Sequence, residues 1–171
     1  FDDVLIGANN EGSGGPFSAG LYLVLGDPTP SDIDLTQPPA GWVKFTAMAG
    51  EGAGDRVDGI GDVNQDGYPD MVIGAGGAAG TRGVAYVVFG AKTPTGLTLS
   101  TMTPDQGAAL TGEDPMDWAG YDAAGLGDVN GDGIPDVGVG ATNAEPNGTQ
   151  SGSAYVVYGT KDFTSLSLGA L

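Results

Sequence analysis

One nine-residue pattern occurs twice in register and limits what this chain can fold into. Asp-x-Asn-x-Asp-Gly-x-x-Asp runs from Asp62 through Asn64, Asp66 and Gly67 to Asp70. It returns 66 residues later from Asp128 through Asn130, Asp132 and Gly133 to Asp136. Each copy sits in a longer block, GDVNQDGYPDMVIGA from Gly61 and GDVNGDGIPDVGVGA from Gly127. The opening FDDVLIGA fits the tail of the same block, which aligns Asp3 with Asp70 and Asp136. Self-similarity at a fixed period marks a repeat architecture.

Three further blocks recur after it. The first reads AGLYLVLG at 19–26, GVAYVVFG at 83–90 and GSAYVVYG at 152–159. A Leu-x-Leu-like block follows at Ile33–Leu35, Leu97–Leu99 and Leu166–Leu168. KFTAMAG (44–50) and AALTG (108–112) lead into the next unit. The blocks are short, rich in Val, Ile, Tyr and Phe, and bounded by Gly, Pro, Asn or Asp, which are strand signals. Pro or Gly interrupts every stretch with helical periodicity. The expected fold is all-β: four-stranded antiparallel blades, about 2.6 repeats of roughly 66 residues. The divisions are 1–50, a partial first repeat without its acidic loop, then 51–112, then 113–171, which stops before a last strand. Tyr22, Tyr86 and Tyr155 are equivalent and are expected to pack between blades.

In the acidic loops, oxygen side chains at alternate positions and a glycine that accepts positive φ let the backbone curl around one hard cation. Position seven, Tyr68 or Ile134, offers its carbonyl. Pro69 and Pro135 bias that residue toward extended geometry and hence a following strand. Nothing soft is in the set, so Ca²⁺ is favoured over Mg²⁺, which demands tighter octahedral geometry. Without a cation, each carboxylate pair at about 5 Å repels by roughly 3 kcal/mol at an effective dielectric near 20. The loops are therefore expected to be looser without metal. They are not EF-hands: position twelve is Ile73 or Val139, not Glu, and strand-like runs follow. A single Asn/Asp-Gly turn is also an ordinary hairpin turn; two copies keeping every oxygen argue for the metal. Asp3 holds the ninth position of a third, partial site.

These residues resemble the FG-GAP repeat of integrin α-subunit β-propellers and of many bacterial extracellular proteins. The matching pieces are GDVNQDGYPDMVIGA…GVAYVVFG and GDVNGDGIPDVGVGA…GSAYVVYG. Ala53-Gly54 and Ala119-Gly120 stand at the family's "FG" position. Its "GAP" appears as Gly-Ala followed by Asn9, Gly76 or Thr142, without the proline. The resemblance implies a four-stranded blade with structural Ca²⁺ in the hairpin between its first two strands. The ligand positions it implies are Asp62, Asn64, Asp66, the Tyr68 carbonyl and Asp70, then Asp128, Asn130, Asp132, the Ile134 carbonyl and Asp136. The Leu-x-Leu stretch looks more like bacterial versions.

Composition excludes several classes. The chain has 171 residues with no Cys and no His, 22 acids against 5 bases, and a formal net charge of −17. There can be no disulfide, thiolate metal site or His-assisted nucleophile. So few cations argue against nucleic acid and anionic lipid as partners. A closed propeller needs roughly four to eight blades, so the chain is expected to be a slice of a longer polypeptide or one protomer of an assembly. Its expected partners are other FG-GAP repeats, plus a protein or glycan ligand of unknown identity.

The leading reading is a secreted or surface-exposed bacterial adhesion or ligand-binding module, not an enzyme, recognising its ligand through loops 9–18, 76–82 and 142–151. The alternative is a building block of an extracellular filament or surface layer. A less favoured one attaches the propeller to a secreted hydrolase. Within the chain itself, the candidates for a carboxylate pair for glycoside hydrolysis are Glu113, Asp114, Asp117 and Asp122, clustered near an insertion of about four residues in which GEDPMDWAG replaces GEGAG. Trp118 is expected to pack, with sugar stacking as its functional alternative. Arg56 and Arg82, the only arginines, are expected to pair with nearby acids. Asn147-Gly148-Thr149 is a glycosylation sequon.

Overall fold

The computed structural model describes residues 3–8, 20–26, 42–48, 50–149 and 151–171. The Ile33–Leu35 block and loop 9–18 lie outside the described residues. Among the described residues the structure is all-β, in three sheets that are antiparallel except at one edge of the second. The first contains β1 (Val4–Ala8), β2 (Gly20–Val24) and β3 (Val43–Thr46). The second contains β4 (Arg56–Gly61), β5 (Asp70–Ala75), β6 (Val84–Val88) and β7 (Gly107–Thr111) in sequence order. The third contains β8 (Ala119–Gly127), β9 (Asp136–Ala141) and β10 (Ser153–Val157). Register repeats with the sequence: Tyr22 faces Ile6 and Lys44, Tyr86 faces Ile73 and Ala109, and Tyr155 faces Val139.

The middle sheet is buried on both sides, so β6 and β5 after its leading Asp70 are apolar throughout rather than alternating. Side chains still alternate between faces at period two. Val72, Val87 and Leu110 pack with Val137, Val139 and Val157 of the third sheet. Met71, Ile73, Tyr86 and Val88 pack with Leu21, Leu23 and Phe45 of the first. The sheets are therefore stacked leaves of a propeller-like array, with a core on either side of the middle one. Among the described residues the third sheet has neighbours on one face only, and Val156 (43%) and Tyr158 (56%) are exposed.

Glycine permits the close approach. A Cβ on Gly74 would run into the Gly120 carbonyl, and one on Gly7 into the Gly54 carbonyl. The recurrent Gly-Ala of one leaf thus meets the Ala-Gly of the next.

The Leu-x-Leu block differs from the expected blade strand. The fourth strand of the middle blade is β4, which precedes the acidic loop. Leu-x-Leu instead crosses to the preceding leaf. β11 (Leu166–Ser167) pairs in parallel with β7, Leu166 facing Leu110. Thr98 bridges Thr46 of β3 in the same sense, and Thr46 N–H donates to the Leu97 carbonyl at 2.9 Å. A 3₁₀ turn follows each pairing, at Leu99–Thr101 and Leu168–Ala170, and buries its leucine. These leucines belong to the core between leaves, so hydrophobic burial decides the direction of the crossing.

Candidate metal centres

The acidic loops link β4 to β5 and β8 to β9. Both are closed by one network. Asp62 Oδ1 accepts Asp66 N–H (3.0 Å) and its Oδ2 accepts Gly67 N–H (2.9 Å). Asn64 Oδ1 also accepts Asp66 N–H (3.0 Å), and Asp66 Oδ1 accepts Tyr68 N–H (2.9 Å). In the other loop Asp128 accepts Asp132 N–H (3.1 Å) and Gly133 N–H (2.8 Å). Asn130 accepts Asp132 N–H (2.9 Å), and Asp132 accepts Ile134 N–H (2.8 Å). The amides of Asn64 and Asn130 donate to Asp66 and Asp132, each at 2.9 Å. An sp² oxygen that accepts one hydrogen bond keeps a second lone pair. Each turn thus orders its donors while leaving them capacity for a hard cation. Tyr68 and Ile134 contribute their N–H groups to the closure.

The ninth residues do something different. Asp70 is 2% exposed; its Oδ2 accepts Val63 N–H (2.9 Å) and its Oδ1 accepts Gly90 N–H (2.7 Å). Asp136, fully buried, accepts Val129 N–H and Gly159 N–H, both at 2.9 Å. Asp3 accepts Gly26 N–H at 2.8 Å. In every unit this carboxylate ties its strand to the glycine ending the next one. Burial pushes the Asp70 carboxyl up to about 6. The two N–H donors oppose that shift, and the negative charges of Asp66 and Asp62 add to it. The partner glycines were visible in the sequence as the last residues of GLYLVLG, GVAYVVFG and GSAYVVYG.

Residues 56–88, which run from β4 through the first acidic loop to β6, match the FG-GAP repeat model. This stretch is similar to an FG-GAP repeat. The chain is 36% identical over 114 residues to integrin alpha pat-2 of Caenorhabditis elegans, which is 64% of this chain and 9% of that protein. It is 35% identical over 105 residues to the mouse phosphatidylinositol-glycan-specific phospholipase D, 58% of this chain and 12% of that protein. The bovine phospholipase gives 36% over 107 residues with the same coverage. The chain spans about a tenth of the length of these curated relatives.

The acids before the second loop are held by different partners. Asp117 is buried and caps the backbone by accepting Asp114 N–H at 2.8 Å. Asp122 pairs with Arg56 at 3.2 Å. Glu113, Asp114 and Asp117 line an open groove of about 780 Å³, together with Glu145. Arg82 donates to the Glu113 carbonyl. Asn147 is exposed. Trp118 stacks on Tyr121 at 6.1 Å with the rings 22° apart. Among the described residues, no helix is long and apolar enough to cross a membrane.

Proposed function

We propose that this chain is a calcium-stabilised segment of an extracellular FG-GAP propeller that binds other molecules, with the cation in a structural role. The observation that carries this reading is the duplicated loop network. Two segments 66 residues apart present the same oxygens, ordered by the same backbone donors. Asp62, Asn64, Asp66, the Tyr68 carbonyl and Asp70 would hold one Ca²⁺. Asp128, Asn130, Asp132, the Ile134 carbonyl and Asp136 would hold the other, and Asp3 belongs to a third site. A bound cation neutralises clustered carboxylates, so it favours the ordered loop over the open one. The likeness to an integrin alpha chain supports an extracellular, ligand-binding setting. The phospholipase activity named for other relatives is not carried to this chain. Residues 51–112 and 113–171 are read as successive repeats.

Calorimetric titration of the full chain with CaCl₂ tests the proposal. It should give two sites weaker than those of cytosolic calcium buffers, in the range of extracellular modules. Asp62→Ala should remove one and Asp128→Ala the other. No binding up to 10 mM, a concentration ~10-fold above the weak end of such modules, would overturn the reading.

A second reading makes the chain a structural unit in an array of repeats, and the half-open third sheet with Val156 and Tyr158 exposed favours it. Light scattering across a concentration series separates the two. Growth into large assemblies supports the array, and a concentration-independent mass opposes it.

A further inference from the structure

Successive repeats share one turn before the Ala-Gly pair, and this turn shows where the third unit departs from the second. Glu51 accepts Met48 N–H, and its carbonyl accepts Gly77 N–H. Asp117 accepts Asp114 N–H, and its carbonyl accepts Asn143 N–H. Glu51 and Asp117 are therefore the same position, and Asp114 is the counterpart of Met48. Trp118 then corresponds to Gly52, and Tyr121 to Asp55.

The substitution is unfavourable for folding. Gly52 has φ +63°, a region glycine enters freely, whereas Trp118 is held at φ +56°. A left-handed L-residue costs about 1–2 kcal/mol. Its indole N–H is also buried without a hydrogen-bond partner, a further expense of about 1–3 kcal/mol. Strain is concentrated around it. Of five non-glycine residues with positive φ among the described residues, four (Ala79, Thr81, Met116 and Trp118) lie in two loops that touch here. The Trp118 backbone N–H donates to the Thr81 carbonyl, and Thr81 Oγ1 contacts Met116 Sδ at 3.1 Å. Strain of this kind persists where the surrounding structure holds a functional geometry.

The strained turn builds a pocket. A cavity of about 260 Å³ lies between the two equivalent turns, lined by Gly52, Asp55, Gly76, Thr81, Trp118 and Tyr121 among others. Its glycine floor carries no side chains. Its wall is the aromatic stack, with Tyr121 48% exposed and backed by Trp118. Asp55 and the Thr81 hydroxyl supply polar groups at the rim. This size suits a single ring rather than a drug-sized ligand. The net charge of −17 repels phosphates and uronic acids.

We propose that this pocket binds one ring of a neutral pyranose glycan, its apolar face against Tyr121 and its hydroxyls toward Asp55, Thr81 and the glycine backbone. The site goes beyond the calcium reading and stands without it.

Affinity electrophoresis of the full chain in calcium buffer tests it, with laminarin, yeast mannan and arabinogalactan as neutral probes, beside polygalacturonate and a lysine-rich peptide. At least one neutral polysaccharide should retard the protein and shift its tryptophan emission. Tyr121→Ala should weaken that retardation about tenfold, as loss of an aromatic contact predicts, while Tyr121→Phe retains it. Trp118→Gly should fold, because Gly52 already holds the same turn, yet bind weakly. The proposal is overturned if no neutral probe binds, if Tyr121→Ala binds as well as the wild type, or if only the peptide binds. Calcium titration of the same samples is a separate readout, so either reading can fail alone.

Discussion

Gln65 and Gly131 hold the same place in the two acidic loops, with φ +57° and +80°. Glycine relieves the left-handed penalty of about 1–2 kcal/mol but increases the entropy of the unfolded chain by less. Gln65→Gly should therefore stabilise the protein by about 0.5–1 kcal/mol in thermal melts. A loss of stability would show that the glutamine side chain makes a contact worth more than its strain. Asp70 contributes to the pH response of the metal-free protein. Its folded value of about 6 lies above the ordinary 3.8, so the folded state holds the proton more tightly. Its contribution to stability is complete below about 3.8 and is lost as pH rises through about 6. In chelator, melting temperature should rise from pH 7 to pH 5. With calcium bound the ionised form is favoured, and acidification over the same interval should lower it. The same slope in both buffers would argue against a cation beside Asp70. The loop residues were legible in the sequence because their spacing is local. The clamp from Asp70 to Gly90 was not, because a hydrogen bond across 20 residues leaves no period to read.

The crossing segment carries the element scale. Residues 160–171 fold back on the preceding leaf. Phe163 meets Phe89 edge-on at 6.3 Å, Ser165 Oγ accepts Ala109 N–H at 2.9 Å, and Leu168 is 1% exposed. Leu168→Ala should destabilise by about 2–5 kcal/mol, the usual range for a buried leucine. Ser165→Ala removes only the acceptor, so it should accelerate amide exchange at Ala109 while leaving the global melt within about 1 kcal/mol. Unchanged exchange at Ala109 would show that β11 pairing does not protect β7. The Leu-x-Leu blocks announced themselves as apolar and extended. Nothing local told which sheet they join, since an edge pairing of two residues is decided by where their leucines find a core.

Between leaves, backbone contact replaces side-chain packing at Gly74 and Gly120. Gly74→Ala places a methyl group in the Gly120 carbonyl, so the second and third sheets must move apart. Overpacking of this kind costs about 1–3 kcal/mol, and the loss should appear as a lower melting temperature for the whole chain. A neutral outcome would mean that the leaves slide without penalty.

The sequence by itself determined the repeat, the all-β class and the composition of the acidic loops. Each of these follows from residues close together or from a spacing that recurs. Only the tertiary structure decided that Leu-x-Leu stitches onto the preceding leaf, that the ninth carboxylate clamps a distant glycine, and that Trp118 stands where Gly52 stood. Those depend on approaches between segments far apart in the chain, where burial and unpaired backbone groups, rather than local preference, select the partner.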